Sequence, residues 1–352
     1  MRALSTALAL ATACSFDGSG KQPEPGIPDL TRRELSFESP QNGGVDNVPV
    51  LLALDSTRIE YESVADPKRN LVFIDPDAGR ELPFDIERWD PAGQSFIWVR
   101  VPRVDGGSSG DRISMQYGPG ITSGGPDPTA VWADHVGVWH LNGPLLNAAS
   151  ASHDAMAVGT VLEPDGQIAG ARRFSDQEPS QVFFADGAAL LNGWDTFTIE
   201  WWMYCDYADG AALAGSEPRV FEKFGPLTGG RLFPSTANTI KSQTDVHFQS
   251  GQTVFANVTI APRAWSYLAY SYDGSQFRRY LNGEPAGVDL RPGDRLESSP
   301  NEFQLGQDMG RSFAGMMDEL RISMTGRSDA YFDVQYASMT DQLVTYGDPE
   351  SL

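Results

Sequence analysis

The 352 residues contain only two cysteines, Cys14 and Cys205. If Cys14 is lipidated, Cys205 has no partner and no disulfide framework is available. Positive charge is also scarce: 26 Lys and Arg stand against 47 Asp and Glu, a net of −21. Such a surface repels phosphate backbones and anionic headgroups and argues against a nucleic-acid partner. The four histidines, His135, His140, His153 and His247, fall into neither HxxxH nor HExxH spacing, and no GxSxG elbow occurs. The sequence thus carries no zinc signature and no nucleophile signature. No stretch reaches the roughly 18 uninterrupted apolar residues of a membrane helix. Long amphipathic helices are missing too. What is abundant is glycine (36), proline (24), phenylalanine (18), tyrosine (11) and tryptophan (8), a composition suited to short strands and tight turns.

The N-terminus MRALSTALALATAC has one cation, Arg2, a short apolar run over 3–10, and small residues Ala11, Thr12 and Ala13 before Cys14. This is the pattern of a secretory signal. Its end resembles a bacterial lipoprotein box, which implies residues 1–14 as signal peptide with Cys14 as the acylated residue. By similarity to enterobacterial lipoproteins, Ser15 in the next position implies the outer membrane. The expectation is an exported, outer-membrane lipoprotein, periplasmic or on the cell surface, that meets the membrane only through its lipid. Residues 15–33, rich in Gly, Pro and charge, read as a disordered tether.

A first domain is expected over 34–119. Short strands at 48–54, 71–75, 82–90, 96–102 and 113–117 are separated by Pro, Gly, Asp and Ser clusters, as in an antiparallel sandwich. Ile97, Val99 and Val101 oppose Phe96, Trp98 and Arg100. Asp75, Asp77, Asp85, Glu87 and Asp90 invite a reading as an acid/base cluster, but turn and solvent-face positions account for them more simply. The string NLVFIDPDAGRELPFDIERWDPAGQSFIWVRVP, followed by MQYG, resembles a bacterial domain of unknown function that commonly stands before laminin-G-like domains.

The second domain is expected over 128–347, organised around FTIEWWMYC at 197–205, where both alternating sets are apolar or aromatic and both faces must be covered. WSYLAYSY, Asp273-Gly274, QFRRYL and Asn282-Gly283 form a meander, the last turn suited to type I′ geometry. One short helix fits 328–339, and no strand is assigned within 208–246. FTIEWW, the WHLN string at 139–142, the WxxxAxxYDG and YxNG spacings, and FAGMMDELRIS at 313–323 resemble laminin-G-like (concanavalin A-like) domains. The resulting expectation is an all-β chain: two β-sandwich domains, the second a concanavalin A-like jelly roll, after a disordered N-terminal tether.

The fold resemblance implies lectins, adhesion modules and some glycan hydrolases. The hydrolases need carboxylates alternating along one strand. No such run is present: Glu200 stands alone, and Asp318 and Glu319, being adjacent, are expected on opposite faces. The family resemblance implies one Ca²⁺ held by Asn147 and Asp318. Trp194, Trp202, Tyr204 and Tyr207 are candidate stacking faces for sugars, set against their simpler role as packing. The function expected is a non-enzymatic envelope lipoprotein binding a glycan or an extracellular protein. The alternative is a structural accessory lipoprotein that docks to envelope proteins through an exposed apolar patch. A glycan hydrolase ranks third and would require two carboxylates facing an open cleft.

Overall fold

The computed structural model describes residues 30–38, 43–105, 111–176, 179–213, 215–236, 239–308 and 310–352. The expected signal peptide, Cys14 and most of the expected tether lie outside the described residues. The chain is all-β and forms two sandwiches. Among the described residues no helix is long and apolar enough to cross a membrane.

In the first sandwich a three-stranded sheet, in the order Val45–Leu54, Ser95–Val104, Phe84–Arg88, shares an apolar cluster with a six-stranded sheet. The larger sheet contains Thr31–Phe37, Arg112–Tyr117, Leu71–Asp75 and Arg80–Leu82, and it is completed from the far end of the chain. Val344–Tyr346 and Glu350–Ser351 pair antiparallel with Thr31–Phe37, in the registers Leu35↔Tyr346 and Thr31↔Ser351. Two expected boundaries therefore shift. Among the described residues a strand already occupies Thr31–Phe37, inside the stretch read as tether, and the expected end of the second domain at 347 cuts through a segment that belongs to the first sandwich. The physical reason is that an edge strand leaves a row of backbone N–H and C=O groups unpaired, and the C-terminal segment supplies their partners.

The second sandwich has an eight-stranded sheet in which Phe197–Cys205 is central, between Gly315–Ser323 and Trp265–Tyr272. It faces a nine-stranded sheet whose first strands are Thr253–Ile260, Thr239–His247, Leu227–Thr236 and Arg219–Lys223, three of them built from the stretch 208–246. Ile199, Trp201 and Met203 meet Phe221, Leu232, Val246 and Val254 in the core, and Trp201 stands edge-on to Phe221 at 5.1 Å. The turn after Gln276–Leu281 has φ of 52° at Asn282 and 83° at Gly283, as a type I′ turn requires.

The other face of Phe197–Cys205 is sealed by the helix Asp329–Met339 and by the first sandwich. Trp202 Nε1 donates to Met339 Sδ at 3.1 Å, and Gln335 Nε2 on the same helix donates to Pro49 O at 2.7 Å. The registers Leu51↔Trp98 and Ala53↔Phe96 place these four residues on the face of the three-stranded sheet that Trp98 turns toward Trp132. That sheet is thus buried on both sides. One apolar cluster runs from Val50, Leu52 and Val99 through Trp132 to Trp202, Tyr267 and Phe332.

Candidate functional site

Where the two sandwiches meet, the sequence buries charges that it had appeared to place in turns. Asp85 and Glu87 come from the strand Phe84–Arg88, and His140 follows the strand Gly137–Trp139. Glu319 and Arg321 come from Gly315–Ser323. His140 Nδ1 lies 2.5 Å from Glu319 Oε1 and 3.5 Å from Glu87 Oε2, and its Nε2 lies 3.3 Å from Asp85 Oδ2. Each carboxylate is held from behind: Trp98 Nε1 and Asn142 Nδ2 donate to Glu87 at 2.8 and 2.6 Å, and Trp132 Nε1 donates to Asp85 at 3.0 Å. Arg321 grips Glu319 through Nη2 at 2.7 Å and lies over Trp98 and Trp132, 4.3 and 5.0 Å from their ring centroids.

Two expectations are corrected here. Asp85 and Glu87 are not solvent-face residues, because the partner sandwich covers that face; Asp75 and Asp90 do serve turns, accepting from Ala78 N and Ala92 N. Asp318 and Glu319 do not lie on opposite faces. Trp202 pairs with Asp318 but Glu200 pairs with Arg321, so Gly315–Ser323 carries one extra residue, and Glu319 takes the left-handed conformation at φ 52°. This β-bulge leaves Met317, Leu320 and Ile322 in the core and turns Asp318, Glu319 and Arg321 outward together.

Burial and the repulsion of Glu319 push the Glu87 carboxyl up to about 8. Burial, Glu319 and Glu87 push Asp318 well above the carboxylate range. Burial would deprotonate His140, but Glu319 and Glu87 outweigh it and hold the imidazole well above its ordinary value. Burial likewise opposes ionisation of Glu319, yet His140 and Arg321 keep it low. The carboxylates thus divide into ionised and protonated members through their neighbours.

A second network lies behind the first. Tyr331 Oη donates to Glu200 Oε1 at 2.8 Å, Tyr267 Oη donates to Glu200 Oε2, and His135 Nε2 is 3.8 Å from the carboxylate. Burial would raise Glu200, but the contact with His135 and the charge of Arg321 carry it down to about 2. A carboxylate depressed in the folded state contributes stability that is complete above its unfolded value and is lost as pH falls through its folded one. Between pH about 4.5 and about 2 this fully buried group should contribute a loss on the order of 3 kcal/mol. Denaturant unfolding across that range checks it; in Glu200→Gln the acid limb should flatten.

The residues singled out in the sequence fare unequally. Trp194 and Trp202 are core residues, 9% and 2% exposed. Trp202 cannot stack on a sugar, because the central strand is covered on both faces, and Trp194, which precedes that strand, is packed into the core of the second sandwich. Tyr204 is half-buried beside Trp265, and Tyr207, pushed up to about 12 by burial, accepts from Ala314 N at 3.2 Å. Asn147 Oδ1 accepts from Val138 N, in the strand Gly137–Trp139, and from Ala149 N in its own loop, so both its lone pairs are used. Asp318 Oδ2 accepts from Ile168 N at 2.8 Å, whereas Oδ1 is buried with no hydrogen-bond partner among the described residues. The carboxylates that do approach one another, Glu87 and Glu319, have side chains only 1% exposed, so the open cleft a hydrolase needs is not at this cluster.

Sequence reasoning missed the outer face of the nine-stranded sheet. Along Thr239–His247 and Thr253–Ile260 alternate residues enter the core, and Lys241, Gln243, Asp245, His247, Phe255, Asn257 and Thr259 face out. Asp245 accepts from Gln243 Nε2 at 2.9 Å and from Arg231 Nη2 at 3.0 Å. Arg231 stacks over Phe233 at 5.0 Å, and Phe255 is 57% exposed. The strict alternation TVFANVTI was the available signal.

Residues 176–330 match the family described as the concanavalin A-like lectin/glucanases superfamily, and residues 68–136 match a domain of unknown function (DUF2341). No curated protein matches the sequence. Among solved structures, the binding domain of a paraclostridial mosquitocidal protein is 11% identical, with a TM-score of 0.49 over 58% of this chain and 52% of that one. The botulinum neurotoxin serotype G binding domain is also 11% identical, at 0.44 over 57% and 50%. Domain 4 of an extracellular arabinanase from Geobacillus stearothermophilus, in complex with arabinotriose, is 18% identical, at 0.42 over 59% of this chain and 98% of that one. The chain spans about half the length of the toxin binding domains it resembles.

Proposed function

We propose, from a chain whose residues 176–330 match a concanavalin A-like family, that this protein is a non-catalytic recognition module binding a glycan on the outer face of its nine-stranded sheet. One observation carries the reading. Of the two outer faces of the second sandwich, the one bearing Trp202 is sealed by the first sandwich and the helix, and the other stays open. That open face combines an exposed aromatic with planar polar groups already fixed by their neighbours, the chemistry by which a sugar's apolar ring face and hydroxyls are held. Arg231, Gln243 and Asp245 need little further ordering on binding, so little of the contact energy is lost to side-chain entropy.

A glycan array probed with the full chain tests this. Phe255→Ala is expected to weaken binding at least tenfold, a step of about 1.4 kcal/mol, with the unfolding midpoint unchanged; binding that survives Phe255→Ala overturns the assignment of the face. A second reading, docking to an envelope protein, is favoured by the exposed apolar residues Leu146, Met156, Val158, Val161 and Leu162 near one edge of the sandwich. Silence on the array would move the weight to that edge.

A further inference from the structure

The interface cluster has a composition that its hydrogen bonds do not account for. Five carboxylates, Asp85, Glu87, Glu200, Asp318 and Glu319, share the contact between sandwiches with Arg321, His140 and His135 as the only basic groups among their described partners. Ionised together, the five would exceed these cations even with both histidines charged, and buried charge without compensation is costly, so the cluster must hold protons or a further cation. One atom from each of Glu87, His140 and Glu319 lies within 4.8 Å of the others.

We infer that Glu87, His140 and Glu319 form a site for one divalent transition-metal ion of the zinc class, shared between the two sandwiches. The donor set, one imidazole nitrogen and two carboxylates, suits such an ion better than calcium, which prefers an all-oxygen shell. The surroundings are those of a metal site. His140 turns Nδ1 toward Glu319 and Glu87 and Nε2 toward Asp85, and a ligating histidine commonly donates its other ring N–H to a carboxylate in this way. Asp85 is itself fixed by Trp132, Glu87 by Trp98 and Asn142, and Glu319 by Arg321.

An independent observation points to the same ligand: Asp318 is fully buried, the bulge turns it to the same side as Glu319, and its Oδ1 has no partner among the described residues. It lies outside the group whose ligand atoms stand within 4.8 Å of one another, so it borders the site rather than completing its shell. A cleft of about 420 Å³, whose lining includes Glu87, Asn142, Glu163 and Gly170, lies beside the cluster. Glu87 and Glu319 come from two strands and His140 from the segment after a third, with Glu87 on the other sandwich, which is why no HxxxH-type spacing marks the site. Bound there, the ion would tie the sandwiches together.

Elemental analysis of the purified full chain, followed by titration of chelator-treated protein with Zn²⁺ and with Co²⁺, tests the assignment. About one equivalent of metal per chain is expected, with a melting temperature that rises with each tenfold excess of Zn²⁺ over its Kd and a Co²⁺ spectrum characteristic of a nitrogen and oxygen shell. Asp85→Asn, which keeps all three ligands, should weaken Zn²⁺ binding 10- to 100-fold, and Glu87→Gln should abolish the one-to-one stoichiometry. No bound metal together with a melting temperature indifferent to Zn²⁺ would overturn the inference and leave the cluster balanced by protons alone. Metal retained in full by both variants would overturn it as surface binding.

Discussion

Arg321→Met is expected to cost about 3 to 5 kcal/mol, because removing one member of a buried ion pair strands the other. The Arg321 side chain is fully buried and Glu319 is 1% exposed. Without the guanidinium, Glu319 keeps only His140 as a close cation, and the helix loses the bond from Arg321 Nη1 to Gln335 Oε1 at 2.6 Å. Loss of the guanidinium from the faces of Trp98 and Trp132 adds up to about 2 kcal/mol in a desolvated setting. Natural domains are stable by about 5 to 15 kcal/mol, so the loss would take a large share of the whole. Urea unfolding of the full chain reads it directly. Adding Glu319→Gln to Arg321→Met should recover part of the loss, since the stranded charge then disappears.

The second large effect concerns the two sandwiches themselves, which are expected not to fold apart. Cutting between residues 127 and 128 uncovers Leu51, Ala53, Phe96 and Trp98 on the first half and Trp132 on the second, all buried in the intact chain. At about 1.5 to 3 kcal/mol for each large apolar side chain returned to water, these residues alone approach the stability of a typical domain. The cut also takes Val344–Tyr346 from the edge of Thr31–Phe37 and leaves Asp85 and Glu87 without His140.

Most of the fold was legible because it is written in local signals. The doubly apolar strand Phe197–Cys205, the Asn282-Gly283 turn and the opposition of Ile97, Val99 and Val101 to Phe96, Trp98 and Arg100 each state a strand or a turn without reference to distant residues. What the sequence hid depends on contacts far apart in the chain. Nothing beside Glu319 announces a left-handed residue, since neither glycine nor asparagine stands there, yet that one conformation puts Asp318 and Glu319 on the same side. The pairing of Thr31–Phe37 with Tyr346 spans nearly the whole chain. A partial signal for the cluster did exist. Glu200 between Ile199 and Trp201, and Arg321 between Leu320 and Ile322, are charges inside strands apolar on both sides, and such charges must find partners when buried. Trp202 was not legible as a packing residue because stacking faces and packing faces look alike until the cover on a strand is known.

Separate production of residues 1–127 and 128–352, compared with the intact chain by near-UV circular dichroism and urea unfolding, tests the shared core most directly. The account predicts one cooperative transition for the intact chain, and halves that lack fixed aromatic packing, bind hydrophobic dyes and unfold without a sharp transition. Two halves that each fold cooperatively, at midpoints matching two separate transitions in the intact chain, would contradict it.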